Sequence, residues 1–211
     1  MRLVSINVGR SETLSHGERT TSTGICKYPR EGSVNITFGG IAGDAIVDSK
    51  HHGGADQALY AYSADDYDWW AETTGRDFFP GLFGENLTIR DMPSDMRIGD
   101  RLLIGAVVLE ATAPRIPCGT FSMRMEDQQW GVAFRDAERP GIYFRVLNEG
   151  EIEVGDAVTY LESAETDVTA LDLFRYKYRQ HHDPDELRRY LAAPIAARMR
   201  AEIERRLEDL D

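Results

Sequence analysis

A chain of 211 residues with a formal net charge of −12 can bury one substantial core with room for a small appendage. The sign of the charge argues against binding to nucleic-acid polymers or anionic membranes, both of which need a basic surface. Hydrophobic residues at 42% and charged residues at 28% are the proportions of an ordinary soluble globular protein, and no apolar run reaches bilayer length.

The first 160 residues or so read as mostly β. Leu3, Ser5 and Asn7 alternate with Val4, Ile6 and Val8, the period of an opening strand. Further short candidates are residues 33–38, 45–47, 57–62, 86–89, 101–109, 142–146 and 157–161. The pairs Gly43-Asp44, Gly99-Asp100 and Gly155-Asp156 adjoin apolar runs, as expected of tight turns that need positive φ. Many short strands at irregular spacing imply a closed or nearly closed barrel. One helix interrupts them: Ser63 with Asp66 begins it, Gly75 ends it, and Tyr67, Trp70 and Ala71 share its inner face.

The run from Asp100 to Thr112 stops at Pro114-Arg115-Ile116-Pro117-Cys118. The prolines remove ladder donors, so Cys118 is expected in a stiff loop just past a strand end. A neighbouring guanidinium favours the thiolate, the form that acts as nucleophile or soft-metal ligand, although cysteine is also a common inert core residue. Beyond Ser163 the pattern turns helical. Val168, Leu171, Phe174 and Tyr178 make one stripe, Asp183-Pro184-Asp185-Glu186 is a helix start, and Ile195, Met199, Ile203 and Leu207 recur every fourth residue. The expected division is a β domain over 1–162 and a helical extension over 163–211.

Several other stretches carry chemistry. Asp48-Ser49-Lys50-His51-His52-Gly53-Gly54 offers glycine amides to an anion, while a histidine held by Asp48 would serve equally to fix a loop. Gly84-Glu85-Asn86 is either a turn or a hydrogen-bonding ligand contact. The segment from Thr20 to Arg30 brings hydroxyls, Gly24 and the cation Lys27 together without forming a P-loop. Cys26 and Cys118 supply no disulfide framework, which suits a cytoplasmic protein with reduced thiols.

In order and spacing, these stretches resemble the MOSC family and its YiiM-like branch. The matching residues are Thr23-Gly24-Ile25-Cys26-Lys27, Gly43-Asp44, Asp48 with His52-Gly53-Gly54, Tyr62 with Tyr67 and Trp70, Gly81, Phe83 to Thr88, Ile98-Gly99-Asp100, Pro114 to Cys118 and Gly155-Asp156. The C-terminal helices resemble the three-helix extension of that branch. The chain departs from the family pattern at Gly119 and Thr120, and in Tyr28-Pro29-Arg30. The resemblance implies a MOSC-type β-barrel whose pocket binds the molybdenum cofactor, a phosphorylated molybdopterin, with Cys118 as the protein ligand of molybdenum. It further implies reduction of N-hydroxylated small molecules, including purine and pyrimidine bases such as 6-hydroxylaminopurine. Thr23, Lys27, His52, Gly53, Gly54, Asn86 and Arg115 would then hold the cofactor. His52 with Asp48, or Glu85, would supply protons. The sequence contains no iron–sulfur cysteine cluster and no dinucleotide fingerprint. Electrons would therefore come from a separate flavoprotein or ferredoxin-type donor. The rival reading is a sulfur carrier that holds a persulfide on Cys118.

Overall fold

The computed structural model describes residues 1–17, 19–47 and 53–210. Asp48, His52 and the residues between them therefore lie outside the described part. In chain order the strands are β1 (Arg2–Gly9), β2 (Glu12–His16), β3 (Arg19–Thr23), β4 (Lys27–Pro29), β5 (Val34–Thr37), β6 (Gly40–Ile41), β7 (Leu59–Ser63), β8 (Leu87–Arg90), β9 (Arg101–Ile104), β10 (Val107–Pro114), β11 (Ile142–Asn148), β12 (Gly150–Ile152) and β13 (Val158–Leu161). The helices are α1 (Ala64–Thr74), α2 (Gly119–Arg124), α3 (Trp130–Ala137), α4 (Ala170–Tyr176), α5 (Pro184–Ala192) and α6 (Ala197–Glu208), and a 3-10 turn at Ala55–Gln57 precedes β7.

Eight strands form the main sheet in the order β13-β9-β10-β11-β7-β8-β1-β4. All its pairings are antiparallel except β7 with β8, whose parallel register requires the crossover that α1 supplies. Ser63 caps α1 by accepting from Asp65 N, and Gly75 ends it in the left-handed region. The sheet curls until Arg2 bridges Ala157, with Leu3 N donating to Asp156 O at 3.0 Å and Val158 N to Met1 O at 3.1 Å. These bonds touch only the first residues of β1. Its later residues Asn7 to Gly9 pair with β4 instead, so no continuous ladder joins β1 to β13. The expected mainly-β chain with helices is thus borne out, and where a closed or nearly closed barrel is expected the sheet is curled but not closed.

Glu12–His16 and Arg19–Thr23 form a separate hairpin, and β12-β5-β6 a second small sheet. The expected strand over 101–109 divides at Gly105 into β9 and β10, and residues 45–47 form no strand. The glycines of the three Gly-Asp pairs do sit at positive φ, +85°, +91° and +98° in chain order.

Two packed regions flank this framework. Leu3, Ile6, Leu102 and Ile104 from the sheet share one buried cluster with Val168, Leu173, Leu187 and Ile203 from the C-terminal extension. At about 1.5–3 kcal/mol for each fully buried large apolar side chain, this shared core firmly docks the extension. The second cluster is aromatic: Tyr62, Tyr67, Trp70, Phe83, Phe121, Trp130 and Phe134 bring α1, α2 and α3 together behind the turn at residues 81–86. No helix among the described residues is long and apolar enough to cross a membrane.

Candidate functional site

β10 ends at Pro114, and Cys118, extended at φ −127° and ψ 169°, is the N-cap of α2. Its carbonyl accepts from Phe121 N at 3.0 Å and Ser122 N at 3.3 Å. The thiol is therefore anchored past a strand end, as the prolines require, and it remains partly exposed. It faces a cavity of about 150 Å³ whose walls include Thr23, Lys27, Gly53, Tyr60, Asn86, Arg115 and Tyr143.

Arg115 is 5% exposed and donates to the Phe83 carbonyl. Its guanidinium stacks 4.0 Å from the Phe121 ring centroid and 5.3 Å from that of Tyr60. Burial alone would push its pKa down. Tyr60, Tyr143 and Cys118 oppose that and leave it above its ordinary value, and a guanidinium stays protonated in any case. Burial likewise raises the phenols of Tyr60 and Tyr143, against the pull of Arg115. Both stay neutral, and Tyr60 donates to Pro140 O at 2.8 Å.

Lys27 lies across the cavity. Its ammonium pairs with both oxygens of Asp44, Oδ1 at 2.6 Å, and the two side chains are only 8% and 7% exposed. Asp44 is itself fixed by Gly9 N at 2.7 Å and by Asn86 Nδ2 at 2.8 Å. Asn86 Oδ1 in turn accepts from Tyr60 N at 3.1 Å, tying this group to β7. Burial lowers the Lys27 pKa, with Asp44 opposing. A lysine ammonium has three donors, and Asp44 engages two of them.

The wall beside this pair is made by close backbone approach. Ala45 N donates to Gly9 O at 3.1 Å, and a Cβ on Gly24 would lie 2.0 Å from the Ala45 carbonyl oxygen. Only glycine lets the β3–β4 connection pack this tightly against residues 44–46. Thr23 closes that edge, its hydroxyl accepting from Ile25 N at 3.1 Å.

The cavity thus gathers Thr23, Lys27, Gly53, Asn86, Arg115 and Cys118 from separate parts of the sequence. Gly54 is not on this wall; it precedes the Ala55–Gln57 turn, and its carbonyl accepts from Gln57 N at 3.0 Å. Glu85 is also elsewhere. Fully buried, it accepts from Gly81 N at 2.5 Å and from Tyr67 and Thr88 hydroxyls at 2.8 Å each. Its pKa is raised by burial, against those donors. Tyr67 Oη also accepts from Phe83 N at 3.0 Å. Glu85 therefore shapes the turn whose Phe83 carbonyl receives Arg115, and it does not face the cavity. Sequence reasoning missed Asp44, Tyr60 and Tyr143. Asp44 was visible only as a turn residue, and the tyrosines only as members of strands.

Chemically, the cavity combines one polarisable sulfur, one permanent buried cation, a neutralised ion pair, neutral phenols and the hydroxyls of Ser22, Thr23 and Thr120. Among the described residues no group of three or more His, Cys, Asp or Glu side chains is placed to hold a bare metal ion. A metal complex that brings most of its own donor atoms needs only the Cys118 sulfur from this wall, and a soft sulfur-rich centre suits that ligand.

Comparison with known proteins is consistent along the whole chain. Residues 48–159 match the MOSC domain and residues 168–209 the YiiM-like 3-alpha helix domain. The chain is 30% identical to YflK of Bacillus subtilis over 88% of its own length and 83% of that protein. It is 34% identical to a protein named reductase from Gibberella moniliformis, over 76% of this chain but only 29% of that longer one. The crystal structure of YiiM from Geobacillus stearothermophilus superposes with a TM-score of 0.80 at 26% identity, covering 98% of each chain.

Proposed function

From the chain's membership of the MOSC family, as a YiiM-like member with the three-helix C-terminal domain, we propose that it is a molybdenum-cofactor-dependent reductase of N-hydroxylated small molecules. N-hydroxylated purine and pyrimidine bases, 6-hydroxylaminopurine among them, are the substrate class. The observation that carries this reading is the partly exposed Cys118 thiol sharing one cavity with buried, charged Arg115. The relative from Gibberella moniliformis named a reductase supports the same class of activity.

The donor set fits the cofactor. Cys118 is the metal ligand in this reading. The third donor of Lys27, the Thr23 hydroxyl, and the backbone around Gly53 hold the phosphorylated pterin, with Asn86 keeping Asp44 and Lys27 in place. The bound cofactor supplies the two-electron redox chemistry. The overall change takes two electrons and two protons into an N–OH group and releases an amine and water. Arg115 keeps positive charge beside the sulfur without competing as a ligand, since guanidinium has no acceptor and stays protonated. The Tyr60 and Phe121 rings against the guanidinium, with Tyr143 tilted against Tyr60, limit water around that charge, which strengthens its field at the sulfur. His52 with Asp48 remains the proposed proton source, since Glu85 is held behind the wall. Electrons arrive from a separate flavoprotein or ferredoxin-type protein.

The test is the molybdenum and pterin content of wild type and Cys118→Ala purified from a cofactor-competent host, with turnover of 6-hydroxylaminopurine under a chemical reductant. Loss of molybdenum and turnover in Cys118→Ala is expected. A variant that keeps both refutes the assignment.

A further inference from the structure

Tyr143 sits on β11, where Ile142, Phe144 and Val146 turn into the main core and Tyr143 faces the other way. Opposite it the β10 ladder slips. Ala111 pairs with Phe144 and Ala113 with Tyr143, so Thr112 is the extra residue of a bulge. The Thr112 hydroxyl lies 2.5 Å from Asp56 O and 3.1 Å from Tyr143 O, which ties this point of β11 to the Ala55–Gln57 turn. On its other side Tyr143 pairs with Tyr60 of β7, and the two ring centroids are 5.1 Å apart. The backbone of Tyr143 is thus fixed from both neighbouring strands, and its ring from one of them.

The hydroxyl is not held in the same way. Tyr60 donates to Pro140 O, Tyr62 Oη accepts from Trp70 Nε1 at 2.8 Å, and Tyr67 bonds both Glu85 and Phe83 N. Those hydroxyls are engaged within the protein. Among the described residues Tyr143 Oη has no hydrogen-bond partner. Tyr143 is only partly buried, and it lines the cavity together with Cys118 and Arg115. Its phenol lies within electrostatic reach of both: burial raises its pKa, Arg115 pulls against that, and Cys118 adds to it. At neutral pH it is therefore a protonated donor, and that donor is available to a ligand in the cavity.

We propose that Tyr143 recognises the N-bound hydroxyl of the substrate, its phenol donating a hydrogen bond to the oxygen of the N–OH group. This rests on the reductase reading of the cavity and adds what selects the substrate. The bond exists only while the N–O bond is intact, so the amine product lacks it and leaves the phenol to water. A hydrogen-bonding group discriminates more strongly than an apolar wall, since an analogue without the hydroxyl strands a polar group. Because Tyr143 is partly exposed, the stranded phenol is rehydrated in part. A preference of about tenfold for the hydroxylated ligand, or about 1.4 kcal/mol, is expected.

The experiment compares wild type with Tyr143→Phe, both purified from a cofactor-competent host and assayed for molybdenum and pterin per chain. Calorimetry measures binding of 6-hydroxylaminopurine and of adenine without reductant, and turnover is followed separately under a chemical reductant. Tyr143→Phe should lose the roughly tenfold margin, bind adenine as wild type does, and melt at the same temperature, because its hydroxyl holds no other part of the fold. An equal loss for both ligands would make Tyr143 a shaping residue of the wall, and an unchanged margin would leave the hydroxyl unread by it; either result overturns the proposal. A fall in molybdenum or pterin in Tyr143→Phe assigns the phenol to the cofactor and overturns it as well. The reductase reading is judged apart. A margin lost in Tyr143→Phe without turnover by wild type sustains the role of Tyr143 and refutes the reductase, while turnover with an unchanged margin does the reverse.

Discussion

Lys27→Met would remove one half of the ion pair that crosses the cavity. The remaining Asp44 carboxylate keeps Gly9 N and Asn86 as donors but loses its counter-charge. With the two side chains only 8% and 7% exposed, the relevant scale is that of a buried pair, about 3–5 kcal/mol when one partner is deleted, and not the roughly 0–1 kcal/mol of a surface pair. For a chain of this size each kcal/mol moves the melting temperature by about 2–4 °C, so a fall of about 6–20 °C is expected. Asp44→Asn should cost a similar amount. The double variant Lys27→Met/Asp44→Asn should cost far less than the sum, because no charge is stranded. Urea titrations at pH 7 on all four proteins supply the cycle. A single substitution costing less than about 1 kcal/mol, or a strictly additive double variant, would show that water screens the pair. The pH dependence adds a sign. The folded Lys27 pKa lies below its ordinary 10.5, so the unfolded chain binds more protons between those two values and the Lys27 contribution to stability rises with pH there. In Asp44→Asn the opposing attraction is gone, and that rise should begin at lower pH.

Other substitutions probe the remaining walls. Glu85 has a folded pKa raised above its ordinary 4.5; the stability this shift contributes is full below 4.5 and is lost as pH rises through the raised value. Wild type should therefore exceed Glu85→Gln by its widest margin in acid, with a smaller margin of about 1–3 kcal/mol from the disrupted acceptor at neutral pH. A margin independent of pH in urea titrations would contradict this. Arg115→Met should slow alkylation of Cys118 by iodoacetamide in cofactor-free protein, because the thiolate loses its neighbouring cation; an unchanged rate would remove Arg115 from thiol activation. Gly24→Ala places a Cβ 2.0 Å from the Ala45 carbonyl oxygen, a backbone clash that rotamer change cannot relieve. A destabilisation of at least about 1–3 kcal/mol with reduced cofactor loading is expected, and full loading at native stability would refute the close-approach argument.

The sequence was most legible where local chemistry decides local structure. Ser63, Gly75 and Asp183-Pro184 fixed helix ends because caps act within one turn. The prolines around Arg115 placed Cys118 past a strand end for the same reason. Long-range pairing was not legible. The hairpin from Glu12 to Thr23 carries mainly polar and threonine side chains, so apolar alternation gave no signal. α2 and α3 are short and lack a side-chain N-cap bond, and their stability comes from Phe121, Trp130 and Phe134 packing against α1 and Phe83. Barrel closure was misjudged because the strand that would close it, β1, is shared with β4. The site divided along the same line. Cys118 and Arg115 announced themselves as neighbours in sequence, whereas Asp44 becomes meaningful only once Gly9, Lys27 and Asn86 converge on it. Glu85 was misplaced because a carboxylate beside a glycine turn reads alike whether it faces a ligand or braces the turn.

That bracing has a consequence for how charge is distributed. Glu85 and Tyr67 fix Phe83, whose carbonyl orients Arg115, and Arg115 reaches the sulfur side of the cavity. Elsewhere on the wall Asp44 neutralises Lys27, so the pair contributes a dipole, with one Lys27 donor not engaged by Asp44, where a bare lysine would contribute a full charge. The cavity is thus positive mainly at Arg115, beside Cys118. A charged wall on the sulfur side, with a neutralised pair elsewhere, favours a ligand that seats its negative character near Cys118 over one that seats it at Lys27.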